Sequence, residues 1–217
     1  MLVTQPIVQV LSLYSTFLYG MNYLLLASFP ALFATKYGES PGIVGLNYLS
    51  LGAGLFLGAQ VCAPLQDTVY AALKRRHVSD GGPGRPEFRV PMMVPGAVLV
   101  PAGILLYAWT AEAPTHWLGP NVGAAVFGFG SIVGFQCIQG YVVDAYPRHA
   151  ASAVAAVTVL RSLAGFGFPL FAPSLYERLG YGRGGSVLAG LAIVVGWPAP
   201  FLLWKYGAAL RARSKMA

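Results

Sequence analysis

Long unbroken apolar runs, rather than short alternations, organise this chain. No Asp, Glu, Lys or Arg occurs within residues 1–35, 40–66, 90–111, 113–143 or 184–204. A sixth apolar stretch, 149–176, carries a single charge, Arg161. A helix needs about 20 residues to cross the hydrocarbon core of a bilayer, and every run reaches that length. Backbone polar groups in lipid must be satisfied within the protein, so spans are helices or closed barrels. Barrel strands would be about 10 residues of alternating polarity. These runs are far longer and do not alternate. The pattern predicts an all-α membrane protein, one domain over 1–217, with a six-transmembrane-helix bundle at 6–35, 42–63, 91–111, 118–145, 150–176 and 184–204. A long loop, 67–90, and a tail, 205–217, complete the chain.

Composition agrees with this class. Of 217 residues, 56% are apolar and 10% charged, against about 25% charged in soluble domains. The net charge of +7 invites a nucleic-acid reading, which is rejected because the basic residues sit in the connections. Their distribution sets an orientation, since Lys and Arg collect on the cytoplasmic side. Ten fall on the side of the 67–90 loop, the fourth-to-fifth connection and the tail, and three (Lys36, Arg178, Arg183) on the other. Both chain ends are therefore expected in the cytoplasm. The stretch before the first span carries no basic residue, which is unusual for a span entering from that side. Either the chain is a fragment, the favoured reading, or later charges orient it. The start lacks the basic region of a signal peptide. Cys62 and Cys137 lie in apolar runs and are expected to be buried free thiols.

Glycine and proline punctuate the spans. Gly54-x-x-x-Gly58 and Gly130-x-x-x-Gly134 are small-residue faces of the kind that let helices approach closely. At least one is expected at a helix–helix contact. Pro30, Pro95, Pro101 and Pro169 are expected to bend their spans.

Ionisable groups inside a membrane are functional candidates by default. Arg161 lies about 12 residues, or roughly 18 Å, into the fifth span. Two readings stand for it: a gating or substrate contact, or an interhelical brace. Asp144 ends the fourth span and is placed to cap the next helix. Asp67 occupies the matching place at the end of the second span. Asn22 and Tyr23 in the first span, Asn47, Tyr48 and Gln60 in the second, and Gln136 and Gln139 in the fourth could line an aqueous cavity. Gln136 and Gln139 are three apart and share a helix face. Enzyme chemistry has little support. His77, His116 and His149 have no metal-binding spacing, and no catalytic residue, metal or cofactor is expected.

The motifs, taken in order, resemble a known family. They are Gly45-Leu46-Asn47-Tyr48-Leu49, Asp67-x-x-Tyr70, Pro86-Glu87-Phe88-Arg89-Val90-Pro91, Tyr107-Ala108-Trp109-Thr110-Ala111 and His116-Trp117-x-x-Pro120. Gln139-Gly140-Tyr141-Val142-Val143-Asp144-Ala145-Tyr146, Ala151-Ser152-Ala153, Leu160-Arg161-Ser162, Phe168-Pro169-Leu170-Phe171 and Leu179-Gly180-Tyr181-Gly182 follow. Over nearly its whole length the chain resembles the C-terminal half of a fungal major facilitator superfamily transporter of the drug:proton antiporter type.

The resemblance implies one half of a twelve-helix fold, built from two inverted three-helix repeats. The first, second, fourth and fifth spans would then face a central cavity, with the third and sixth toward lipid. It implies secondary active efflux of small organic molecules, proton-coupled in the complete protein, at the plasma membrane. Implied partners are the lipid bilayer, a small-molecule substrate, protons, and the missing N-terminal six-helix half or a second copy. Substrate-cavity residues would be Asn22, Tyr23, Asn47, Tyr48, Gln136, Gln139 and Arg161. A cytoplasmic gate would use Asp67, Arg75, Arg76, Asp144 and Arg148. Two departures bear on this. Asp67-Thr68 stands where the family often has Asp-Arg, and Gly182-Arg183 where a Gly-Trp is common. The alternative is a non-transporting six-helix subunit or truncated product that acts only through a partner.

Overall fold

The computed structural model describes residues 5–77, 84–113 and 116–214. These form α1 (Pro6–Lys36), α2 (Pro41–His77), a 3-10 segment (Pro86–Met92), α3 (Met93–Glu112), α4 (Leu118–Ala145), α5 (Ala150–Gly196) and α6 (Pro198–Ala212). No strand occurs among the described residues. Proline opens α1, α2, the 3-10 segment and α6. Its fixed φ suits a first turn, where the missing N–H would have had no partner.

Among the described residues, five apolar helical stretches are long enough to cross a membrane: 6–36, 41–77, 86–112, 118–145 and 150–212. The last contains both the fifth and sixth expected spans. Within it α5 breaks at Gly180, whose φ of 74° and ψ of 172° are not helical. Before the break α5 lies along α1, with Phe168 against Gly20. After the break it runs back along α3. Gly182 lies beside Trp109, and the Trp197 Nε1–H donates to the Ala97 carbonyl at 3.2 Å. Glu112 at the end of α3 anchors the reversal by accepting from the Gly182 N–H at 3.0 Å. Lys36 stands beside it, 4.0 Å from the carboxylate.

Gly180 occupies backbone space that side chains rarely enter, and such a residue costs about 1–3 kcal/mol when it is not glycine. Gly180→Ala is expected to lower the unfolding midpoint in detergent accordingly. Gly167→Ala is the control. A Cβ there meets nothing within 4 Å, and alanine gains about 1 kcal/mol of helix propensity over glycine. Equal effects from the two changes would sink this account of the reversal.

The core forms where α4 packs against α2 and α3, α1 against α5, and α3 against α5. Phe29, Tyr107, Phe127 and Tyr141 are among its fully buried side chains. Lipid gives helices no hydrophobic reason to associate, so close packing of small residues carries the contact. Both glycine pairs serve this purpose. A Cβ on Gly54 would overlap the Ala125 carbonyl, and one on Gly58 would strike Ile132, both on α4. Gly130 meets Leu99 and Val100 of α3, whereas Gly134 meets Leu18 of α1.

Several expectations need correction. The stretch 67–77 is not loop, because α2 runs on to His77. Asp67 therefore lies within a helix and does not end one. The chain from Pro86 to Met92 is a 3-10 helix. Pro95 does not bend its span: it falls in the first turn of α3, where its ring breaks no α3 hydrogen bond. Pro30, Pro101 and Pro169 are inside helices as expected, joined by Pro64 and Pro173. Residues 78–83 of the expected loop and 215–217 of the expected tail lie outside the described residues. Cys62 and Cys137 are free and buried.

Candidate functional site: a charge cluster at the basic end and a polar recess in the bundle

The 3-10 segment holds two charged side chains two residues apart. At three residues per turn, positions i and i+2 point in different directions, and here each finds a different partner. Arg89 reaches Asp144 on α4, with Nε donating to Oδ2 at 2.5 Å and a second, longer bond of 3.4 Å to Oδ1. Its other arm lies 3.7 Å from Asp67 on α2, and its guanidinium sits over the Tyr70 ring, 5.1 Å from the centroid. Glu87 turns the other way. It accepts a bidentate pair from Arg211, both bonds 2.9 Å, and a third bond from the Tyr141 hydroxyl at 3.0 Å. Glu87 is only 6% exposed.

One short segment thus ties α2, α4 and α6 together at the basic end of the bundle. Asp144 is not the cap of α5 that its position suggested. The N-cap of α5 is His149, with no side-chain cap bond, because the carboxylate is taken by Arg89. Arg75 and Arg76 on the last turn of α2, and Arg148 in the connection to α5, are exposed and enter no ion pair among the described residues. Of the expected gate, Asp67 and Asp144 come together and the three arginines do not. Arg89, Glu87 and Arg211 are the members that residue-by-residue reading missed. Glu87 and Arg89 were visible only as part of the Pro-Glu-Phe-Arg motif. Arg211 had no signal beyond its charge.

Some of the expected cavity residues fall at two separate sites, and Asn22 and Tyr48 at neither. Asn47 lies toward the opposite end, where its Nδ2 donates to Glu39 at 2.5 Å and its Oδ1 accepts from Asn121 at 2.7 Å. Asn121, absent from the expected set, is on α4 some 15 residues before Gln136, or about 22 Å along the helix. These three line a recess of about 560 Å³ with Trp117. Tyr48 donates to the Leu26 carbonyl at 3.2 Å, and Asn22 to its own helix at Leu18, 2.8 Å. Each has the ordinary role of a polar group in an apolar bundle.

The second site is nearer the basic end. Gln136 and Gln139 line an open recess of about 320 Å³ with Gln66, Asp67 and Phe135. A water-sized recess of about 10 Å³ adjoins it, sharing Phe135 and Gln139 and reaching Ser15, Thr158 and Arg161. The Gln136 amide donates weakly to the Ala59 carbonyl at 3.5 Å, and its oxygen is buried without a partner. Arg161 lies over the Tyr19 ring at 5.3 Å, and Tyr19 is bonded to Tyr23 through their hydroxyls at 3.2 Å. No carboxylate pairs with Arg161 among the described residues. Its Nε is buried without a hydrogen-bond partner. An arginine at membrane depth costs about 3 kcal/mol on insertion scales. A cation–π contact returns about 1 kcal/mol, which leaves the charge incompletely satisfied. No group of three or more His, Cys, Asp or Glu that could hold a metal occurs among the described residues.

No family model matches the chain, and no solved structure matches it. Curated proteins do. Over all 217 residues the chain is 49% identical to an efflux pump, vrtL, of Penicillium aethiopicum, covering 42% of that protein. It is 46% identical over 211 residues to the MFS-type transporter oryF of Aspergillus oryzae, 97% of this chain and 43% of that one. It is 43% identical over 215 residues to a probable efflux pump, mfs2, of Aspergillus flavus, 99% of this chain and 50% of that one. The chain spans about half the length of the curated relatives it matches. An all-helical bundle with several membrane-length helices is an integral, multi-pass membrane protein, and its similarity to these relatives over essentially its full length places the chain in the fungal MFS-type transporter family.

Proposed function

We propose that the chain is the C-terminal half of a secondary active exporter of small organic molecules, and that it works by rocking against an N-terminal half. Its helical passes number six when α5 is divided at Gly180 and its second part, 181–196, is counted with α6 as one pass, and they form two inverted three-helix repeats. Export is proton-coupled, the membrane is the plasma membrane, and both ends of the chain are cytoplasmic. No step of covalent catalysis belongs to it.

The observation that carries this reading is where the open polar recess lies. It is walled by α2 and α4, with Arg161 of α5 and Tyr19 of α1 beside it. Those are the helices expected to face a central cavity, and a recess of about 300 Å³ or more suits a small-molecule ligand. Arg89, holding Asp67 and Asp144 at one end, is the bolt that closes the cytoplasmic side. Opening requires that bolt to release at least one carboxylate. The similarity to efflux pumps disfavours a non-transporting subunit.

The test is a chimera in which residues 1–217 replace the matching segment of the 49%-identical pump, produced in an efflux-deficient yeast. Export of a fluorescent drug by the chimera is expected. None is expected from residues 1–217 alone, which lack an opposing cavity wall. A chimera that reaches the plasma membrane without exporting, or robust export by the lone chain, would count against the proposal.

A further inference from the structure

We infer that Arg161 is the anchor of an organic-anion site: a small aromatic carboxylate places its head in the recess of α1, α4 and α5 that holds Arg161 and its body in the adjoining recess of α2 and α4. The inference rests on the transport reading and narrows its substrate class.

Three features point to an anion. The first is an arginine without an acid. No described carboxylate pairs with Arg161: Asp144 is bonded to Arg89, Glu87 to Arg211, Glu112 stands beside Lys36, and Asp67, which also lines the larger chamber, lies 3.7 Å from Arg89. Glu39 is bonded to Asn47 at the far end, and Glu177 lines a separate recess with Thr35 and Tyr181. The second is an oriented donor. Side chains on a helix lean toward its N-terminus, which carries Arg161 back toward Thr158 and Gln139, lining residues of the same water-sized recess. The guanidinium lies over the Tyr19 ring, 5.3 Å from its centroid, while Nε stays buried and unpartnered. A planar guanidinium held in this way fits a carboxylate through paired N–H···O bonds better than an ammonium could.

The third feature is the division of space. The recess at Arg161 admits one water-sized group, about 10 Å³, which suits a carboxylate oxygen or the water it displaces. The chamber sharing Phe135 and Gln139 with it is about 320 Å³, enough for an aromatic body. Ile132 and Phe135 supply its apolar wall, and Gln136 and Gln66 each present a buried, unpartnered amide atom. Head and body thus have separate places, and Arg161 reads only the head.

The same carboxylate chemistry could come from a diffusible molecule or from an acidic side chain elsewhere in a longer protein. Binding to the 217-residue chain by itself separates the two. The chain would be placed in phosphatidylcholine nanodiscs, and binding of radiolabelled salicylate, ionised at neutral pH, compared with that of neutral salicylamide. Salicylate is expected to bind at least tenfold more tightly. Arg161→Gln should reduce salicylate to the level of the amide, and Arg161→Lys should retain part of the preference. The unfolding midpoint of each variant shows whether it is folded, and the wild-type preference is informative without any variant. Equal affinity for the two probes, no saturable salicylate binding, or salicylate binding unchanged in folded Arg161→Gln overturns the inference. The last two outcomes assign Arg161 to an internal acid or a brace. Salicylate preference with a chimera that fails to export would leave the anion site standing and sink the transport reading alone. Export by the chimera without salicylate preference would do the reverse.

Discussion

Glu87→Ala should produce one of the two largest losses of stability available to a single substitution in this protein, about 3–5 kcal/mol. Glu87 is buried and accepts three bonds, two from Arg211 and one from Tyr141. Deleting it strands a partly buried guanidinium and a fully buried phenol. The cost of breaking such a pair lies mainly in the partner left uncompensated. Because Arg211 is on α6, the damage should be local first. Protease cleavage within 198–212 should accelerate before global unfolding, measured by mass spectrometry in mild detergent. The double variant Glu87→Ala/Arg211→Met removes both charges and should recover much of the loss. If the single change is silent, the three-way contact contributes no stability. If the double is as damaged as the single, stranded charge is not the cause.

The second large effect is expected at the α3–α4 contact. A Cβ on Gly103 would collide with the backbone nitrogen of Phe127, and one on Gly123 with that of Tyr107. Each glycine faces main chain on the opposite helix, which cannot turn aside as a flexible side chain can. Gly103→Ala must push the helices apart, and overpacking of this kind costs about 1–3 kcal/mol or more. Gly103→Leu should prevent assembly of the bundle. Gly45→Ala on α2, where a Cβ meets nothing within 4 Å, should be neutral or slightly stabilising. Unfolding midpoints in one detergent would compare the three. A Gly103→Ala midpoint at or above wild type would show that α3 and α4 are not held at backbone distance.

Legibility differed by kind of feature. The helices were readable because a membrane span leaves a linear trace: about 20 residues with charge excluded. Helix packing was partly readable, since Gly54-x-x-x-Gly58 presents one face by spacing alone. The charge cluster was not. Arg89 meets Asp144 across 55 residues, and Glu87 meets Arg211 across 124. No local rule pairs residues at such separations. Asp144 shows the limit clearly. Local spacing makes it a helix cap, while the fold brings to it an arginine that takes the carboxylate in a charge-assisted bond. Asn47 and Gln136 show the same limit for the cavity. Both are polar residues in apolar spans, yet they lie toward opposite ends.

By itself, the sequence determined the class of this protein and the composition of its parts. Exclusion of charge is a one-dimensional property, imposed by the free energy of placing ions in hydrocarbon, so it is written residue by residue. Similarity to transporters was carried in the same way, by motifs in order along the chain. Which charges meet, which glycines touch backbone, where α5 reverses and which arginine is left without an acid were decided only by the tertiary structure. Those outcomes depend on distances of a few ångströms between helices far apart in sequence, and electrostatic and packing energies change steeply over that range.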